Sequence, residues 1–406
     1  MEEDKEESSK KKLRQDDPPV TAASLFTDDL ILEVLSRLPA RSVCRFKCVS
    51  TPWRDLIADP VNRKKLPQTL AGFLYTTCGR SSPWDISHHF ASVSGGAAPV
   101  DTSLPFLQPN KYKYIAHVDT CNGLLLCACF SKETPAADND EFRYVVCNPA
   151  TERWIELPPI PQAWATRIHN ATRLAFDPKM SSHFHVLEFG QDVGSYVTGA
   201  DIFSSQTGAW IRRDCGLVEK IQVFHGITSV FFGGMLHLVG RLNLNPTSTD
   251  EGSALLVVDM EGKAWKTIRL PNGFSNCAIG LSRGCLYYAS TTRAHVRNNN
   301  NKKTNVRATD IALWCLENYD SKEWVLKHSA SIDEPLGITG VRWRVFAIHP
   351  DCLTIFLVPW GGDVLASYNV QHQKFAHILN VGKDKIPIYL PYVPLFSEAL
   401  AGADGP

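Results

Sequence analysis

Gly280-Leu281-Ser282-Arg283-Gly284 has the spacing of a hydrolase nucleophile elbow, in which a strained strand-to-helix turn lifts a serine hydroxyl out of a sheet. The next residues, Cys285-Leu286-Tyr287-Tyr288, read as another strand, so the context for an activated serine is missing. His183 and His185 stand at alternate positions, which on a strand would place two imidazoles on one face for a metal ion. No third ligand is in view, and they read as surface or packed imidazoles. Cys127 and Cys129 repeat that spacing with thiols, but the twelve cysteines form no C-x-x-C pair and several sit in apolar runs. Buried reduced thiols fit best. Phosphate loop, dinucleotide fingerprint and H-E-x-x-H are all absent from the sequence. No catalytic, cofactor-binding or metal-binding residue is expected, and no cofactor.

Lys plus Arg and Asp plus Glu both number 42. That balance provides no global field for nucleic acid or an anionic membrane, so recognition must be local. Absence of a long apolar run or a signal-like start points to a protein of the cytoplasm, the nucleus or both. In that compartment the sequon Asn170-Ala171-Thr172 is idle. Residues 1–24 are charged and poor in apolar side chains, the composition of a disordered arm. Within it Lys10-Lys11-Lys12-Leu13-Arg14 reads as part of a solvated tail, with a nuclear localisation patch as the alternative.

The elements that must position any function begin at 25–66. Leu30, Ile31, Val34, Leu35 and Leu38 make one helical stripe, Thr27 or Asp28 can cap it, and Pro39 stops it. A second helix is expected over about 41–48. A third starts where Thr51 can cap and Pro52 takes the first helical position. So small a unit has too little interior for this many large apolar side chains, and the surplus implies a partner.

The order DDL-x-x-E-x-L-x-RLP, R-S-V-x-R-F-K-x-V-S, W-R-D-L-I over Asp28 to Ile57 resembles the F-box. That helical module docks on the Skp adaptor of cullin-based ubiquitin ligases. Thr27 stands where many F-boxes have proline. The resemblance implies that Leu30, Ile31, Leu35, Leu38, Pro39, Val43, Phe46, Val49 and Trp53 form the adaptor interface or the packing beneath it.

Residues 67–398 change character. Short apolar runs separated by Gly, Pro, Asn and Asp mark an all-β domain. Strand-like runs lead through polar turns to Trp154, Trp210, Trp265, Trp324 and Phe375, which lie 56, 55, 59 and 51 residues apart. A period near fifty with several strands per unit is that of a kelch-like propeller, and the length divides into about six units. Five are visible directly. The sixth can be assembled from the run near 72–75 and the C-terminal run 388–395, closing the ring and removing its edges. Each repeated aromatic is expected to wedge between blades. Polar stretches near 92–109, 134–140 and 292–309 read as loops and candidate recognition surface, or as inert insertions. Residues 399–406 read as a flexible tail.

This region is similar to the F-box-associated, kelch-like domain of plant F-box proteins, through Cys121-Asn122-Gly123-Leu124-Leu125-Leu126 and Cys147-Asn148-Pro149-Ala150-Thr151-Glu152-Arg153-Trp154. The expected fold class is therefore α+β multidomain, a three-helix F-box followed by a kelch-like β-propeller. The resemblance implies a non-catalytic receptor that binds the Skp adaptor, and through it cullin, at one end and a protein target at the other. Two alternatives stay open: an F-box binding protein acting outside a ligase, and a propeller enzyme.

Overall fold

The computed structural model describes residues 27–38, 40–63, 65–66, 68–78, 86–95, 98–107, 111–131, 142–161, 171–223, 229–243, 251–271, 276–297, 303–332, 343–359, 364–380, 388–396 and 400. The expected N-terminal arm and the 134–140 stretch lie outside the described residues. The chain divides into two compact units, Met1–Pro67 and Gln68–Pro406.

The first unit contains α1 (Asp28–Ser36), α2 (Ala40–Phe46), α3 (Thr51–Ala58) and a one-turn α4 (Pro60–Arg63). The expectation of three helices misses α4. Its first amides are satisfied by Asp59, whose Oδ1 accepts from Val61 N at 2.7 Å and Asn62 N at 3.2 Å. Thr27 caps α1 as expected, its hydroxyl accepting from Leu30 N at 3.4 Å. The cap of α3 is Ser50 rather than Thr51, accepting from Trp53 N at 3.4 Å.

The second unit is a ring of six antiparallel sheets. In the first blade β1 (Gly72–Cys78) lies between β2 (Ile86–Ser92) and β24 (Ile388–Tyr392). The second blade holds β3 (Tyr112–Cys121), β4 (Leu124–Ser131), β5 (Phe142–Asn148) and β6 (Arg153–Glu156). The third holds β7 (Ala171–Ala175), β8 (His185–Gln191), β9 (Val197–Ser204) and β10 (Ala209–Asp214). In the fourth, β11 (Lys220–Val223) and β12 (Val230–Phe232) both pair with β13 (Met235–Asn243), followed by β14 (Glu251–Asp259) and β15 (Trp265–Arg269). The fifth holds β16 (Cys277–Ser282), β17 (Cys285–Arg297), β18 (Lys303–Asn318) and β19 (Glu323–Ser331). The sixth holds β20 (Trp343–Ile348), β21 (Thr354–Pro359), β22 (Val364–Asn369) and β23 (Lys374–Asn380).

Hydrophobic burial occurs between sheets rather than within them. Side chains alternate across a strand, so each sheet has two apolar faces and needs a neighbour on both. On β4, Leu124, Leu126 and Ala128 enter the seam with the third blade, while Leu125, Cys127 and Cys129 enter the seam with the first. On β14, Ala254, Leu256 and Val258 face the third blade, and Leu255 and Val257 the fifth. The remaining two seams join the fifth blade to the sixth and the sixth to the first.

The repeated aromatics fill those seams from equivalent positions. Each stands early in the last strand of its blade, opposite the end of the preceding one: Trp154 opposite Cys147, Trp210 opposite Phe203, Trp265 opposite Val258, Trp324 opposite Leu316 and Phe375 opposite Tyr368. Trp210 Nε1 donates to Pro158 O at 2.8 Å and Trp324 Nε1 to Arg269 O at 2.9 Å, both on the preceding blade. Trp265 meets Phe189 edge-on at 6.2 Å.

Closure takes the expected route. β24 pairs antiparallel with β1, Leu390 opposite Leu74, so the two ends of the domain share one sheet. The end of β24 and the segment after it are clamped to the second blade by polar groups. Thr120 Oγ1 donates to Pro391 O at 2.7 Å, and the buried Asn148 gives its Nδ2 proton to Leu395 O at 2.9 Å. Asn122 Nδ2 ties the Asn122-Gly123 turn between β3 and β4 to Phe176 O of the third blade at 2.7 Å. Leu400, expected in a flexible tail, is instead buried in the seam between the second and third blades, because that seam still has apolar surface to cover.

Two expected loops differ as well. Between β2 and β3, Leu104 and Leu107 are buried against the first and second blades, so part of the 92–109 stretch is anchored by its own apolar residues. The 292–309 stretch is largely strand, since β17 and β18 stay paired out to Arg297 opposite Lys303.

Gly123 and Gly284 both adopt positive φ, +91° and +80°, but their surroundings differ. A Cβ on Gly123 would fall 2.3 Å from Leu395 Cβ and 2.8 Å from Val393 O, whereas nothing lies within 4 Å of one on Gly284. Gly284→Ala should therefore cost only the backbone strain, about 1 kcal/mol, and Gly123→Ala on the order of 2–3 kcal/mol, because the closing segment must also move. Denaturant midpoints of the two variants compare them directly. Equal losses would show that the clamp contributes nothing.

Candidate functional site

The nine residues predicted for the adaptor interface separate into layers. Ile31, Leu35 and Val43 are buried, Leu35 to 1% exposure, and they form the module's core with Leu32, Ile57 and Leu66. Leu38, Phe46 and Trp53 are half-buried against that core, the Phe46 and Trp53 rings 5.2 Å apart. Leu30 and Val49 are open, at 46% and 60%. Pro39 lies outside the described residues. Val34, one turn beyond Leu30 on α1, is also open at 50%.

This division corrects the stripe read from spacing. A 3.6-residue period gives the angular position of a side chain but not which side of the helix meets the module's own core. Leu32 lies outside the expected stripe and is buried, and Val34 lies in the stripe and faces solvent. Six buried aliphatic side chains are a small core, and aliphatic surface remains outside it at Leu30, Val34 and Val49. The Arg37–Glu33 ion pair on α1 is exposed on both sides and adds little stability.

In the ring, the residues with chemical potential have structural settings. Ser282 ends β16, is fully buried and pairs with Cys285 across the Arg283-Gly284 turn, so strand follows strand and no helix comes after the serine. His183 precedes β8 and is exposed; His185 opens that strand half-buried, and burial lowers its pKa. The two do not share a strand face. Cys127, Cys129 and Cys147 are buried in the seam between the first and second blades. Burial pushes the Cys277 thiol up to about 11 and the Cys121 thiol up to about 12, far from a reactive thiolate. Among the described residues no group of three or more His, Cys, Asp and Glu could hold a metal ion, and no helix is long and apolar enough to cross a membrane.

Asp119 is a buried carboxylate that joins three blades. Burial pushes its pKa up, opposed by the Arg173 guanidinium and by hydrogen bonds. Its Oδ2 accepts from Leu174 N at 2.9 Å and Ser229 Oγ at 3.3 Å, linking the second, third and fourth blades. A cavity of about 120 Å³ opens between the second and third blades, lined by Phe142, Arg143, Tyr144, Pro158, Pro159, Ile160 and Glu188. Its space is that of a few waters or one side chain.

A helical module with spare aliphatic surface, carried in one chain with a closed six-bladed ring, defines a class: F-box proteins with a propeller. Residues 24–65 match the F-box domain, and residues 83–386 match the family described as F-box protein At3g26010-like, beta-propeller. The chain belongs to that propeller family. It is 26% identical to F-box protein At5g07610 of Arabidopsis thaliana over 326 residues, covering 76% of this chain and 71% of the relative. It is 25% identical to F-box protein At5g49610 of the same plant over 352 residues, covering 82% and 84%. Among solved structures it is similar to the nidogen/laminin complex, at 11% identity, TM-score 0.41 and coverage of 81% and 98%. It is also similar to a GH93 α-L-arabinofuranosidase of Fusarium graminearum with arabinobiose, at 12% identity, TM-score 0.40 and coverage of 69% and 83%. Likenesses of that size carry nothing about chemistry.

His237 supplies a pH test of the seams. It is fully buried, with Nδ1 facing Val230 O at 3.2 Å and Nε2 facing Tyr319 OH of the fifth blade at 2.8 Å. A neutral ring donating to the carbonyl and accepting from the hydroxyl satisfies both contacts. Burial pulls its pKa down to about 4 from the ordinary 6.5. Between those values the unfolded chain binds a proton that the folded chain refuses, so stability is full above pH 6.5 and declines as pH falls. Denaturant titrations should show His237→Gln losing stability less steeply than the parent across this window, by up to about 1.4 kcal/mol per pH unit. Parallel curves would remove His237 as the titrating group.

Proposed function

We propose that this chain is the substrate-recognition subunit of a Skp-cullin-F-box ubiquitin ligase. Its F-box docks a Skp-family adaptor, its propeller holds a target protein, and other subunits transfer ubiquitin. The observation that carries this reading is the aliphatic surface at Leu30, Val34 and Val49, left open on a module of matching F-box sequence. The chain itself is non-catalytic: it raises the local concentration of target lysines near a charged conjugating enzyme. Thr27, where many F-boxes carry proline, still caps α1. The start of the docking helix is therefore intact, which favours a working ligase subunit over an F-box that has left the complex.

Covering the half of Leu30 and Val34 that is still open is worth about 1 kcal/mol each, and an aspartate at either position adds the cost of burying a charge. Leu30→Asp with Val34→Asp should weaken adaptor binding by about a hundredfold or more. Co-purification of adaptor and cullin with the full chain tests this. The parent should retain both and the double variant neither, at an unchanged melting temperature. Leu35→Asp, in the core, should instead unfold the module. A parent that retains neither adaptor nor cullin contradicts the ligase reading, and a double variant that binds like the parent contradicts the assigned face.

A further inference from the structure

The cavity in the seam between the second and third blades is walled by aromatic rings, prolines and one carboxylate. Phe142 and Tyr144 stand at alternate positions of β5, so both side chains enter this seam. Their rings meet edge-on, 5.0 Å apart at 79°. Pro158, Pro159 and Ile160 follow β6 and form a second wall. Leu157 N donates to Tyr144 O at 2.8 Å just before that wall, and Trp210 Nε1 donates to Pro158 O at 2.8 Å, so it is fastened to both blades. Pro158 and Pro159 are exposed, and the cavity opens to solvent beside them. Glu188 completes the lining from β8 of the third blade and is only 4% exposed.

Register sets the charge of this lining. Thr172, Glu188, Asp201 and Arg212 stand opposite one another across the third blade, so all four share one face of its sheet. Val186 and Phe203, two residues along β8 and β9, lie in the seam with the second blade and identify that face. Arg212 gives Nε and Nη2 to the two oxygens of Asp201, at 2.8 and 2.7 Å. That row holds two carboxylates and one guanidinium, so one negative charge is in surplus. Arg143 also borders the cavity, but it stands opposite Cys129, whose side chain lies in the seam with the first blade. Alternation therefore sends the Arg143 side chain to the other face of its sheet.

Resting on the ligase reading, we infer that this cavity is a pocket for one arginine side chain of the target protein. A guanidinium is flat, permanently charged and weakly hydrated, so it can leave water to lie against rings and prolines. The π-systems of Phe142 and Tyr144 attract a cation. Glu188 supplies the opposite charge, and the guanidinium fork suits paired hydrogen bonds to a carboxylate. A carboxylate has about four acceptor positions, so Glu188 can receive those donors alongside partners of its own. The volume of about 120 Å³ admits a single long side chain and no peptide backbone, so the pocket reads one residue. Lysine suits it less, because its ammonium is compact and holds water more strongly. An acidic side chain is repelled by Glu188.

The test uses the full chain and the capped peptide Gly-Ser-Arg-Ser-Gly, with Lys and Gln versions of its central residue, read by saturation-transfer NMR. The parent should saturate the arginine methylenes most strongly and bind the Gln peptide about tenfold or more weakly, with the Lys peptide between them. Glu188→Gln, which keeps the shape and removes the charge, should weaken the Arg peptide about tenfold or more. Pro159→Lys places a cation at the exposed mouth and should do the same with the melting temperature unchanged, which guards against a Glu188 variant that fails to fold. No binding by the parent, a Gln or Lys peptide that binds as tightly as the Arg peptide, or unchanged binding by either folded variant would overturn the inference. Co-purification of adaptor and cullin with the parent separates the two readings. Their loss defeats the ligase reading, whereas their retention alongside any of those peptide results defeats the pocket alone.

Discussion

Six sheets that each have two apolar faces can be satisfied only in a closed ring, and that constraint governs the larger unit. A blade alone would expose Leu124, Leu126 and Ala128 on one side and Leu125, Cys127 and Cys129 on the other. Closure depends on β24 joining β1, which brings residues more than 300 positions apart into one sheet. Polar groups of the second blade then hold the end of β24 and the chain just beyond it in place. Asn148, Thr120 and the space left by Gly123 all serve that closing segment, so part of the family's sequence signature is the lock of the ring.

The small unit is governed by the opposite condition. Its core of six aliphatic side chains is complete enough to fix four helices but leaves Leu30, Val34 and Val49 in water. The ring hides its apolar residues among its own blades; the helical module leaves some exposed to solvent. Ser282 and the cysteines of β4, which invite a reading as nucleophile or metal ligands, are buried at a strand end or packed within a seam.

Much of the ring was legible because its repeat is periodic. The aromatic spacing located the last strand of five blades, and a length that divides into six units with five visible implied the terminal pairing that completes the first blade. Other features depended on contacts that a linear pattern does not encode. Ser50 rather than Thr51 caps α3, and Asp59 starts a fourth helix, because cap identity turns on backbone conformation at single residues. Leu104 and Leu107 anchor a stretch that reads as polar loop. The 292–309 stretch is rich in Asn, Lys and Arg, yet cross-strand pairing extends the hairpin through most of it. In the helical module, spacing identified the apolar residues but could not separate the buried ones from those left exposed.

The central claim is that one chain carries two ends, one for the ligase and one for the target. It is tested most directly by following, in plant cells, the proteins bound to the full chain and to its Leu30→Asp, Val34→Asp variant. We expect a protein bound by both whose ubiquitination falls and whose abundance rises severalfold with the variant, because the propeller still holds it while the adaptor is gone. Bound proteins with unchanged ubiquitination and abundance would contradict that claim.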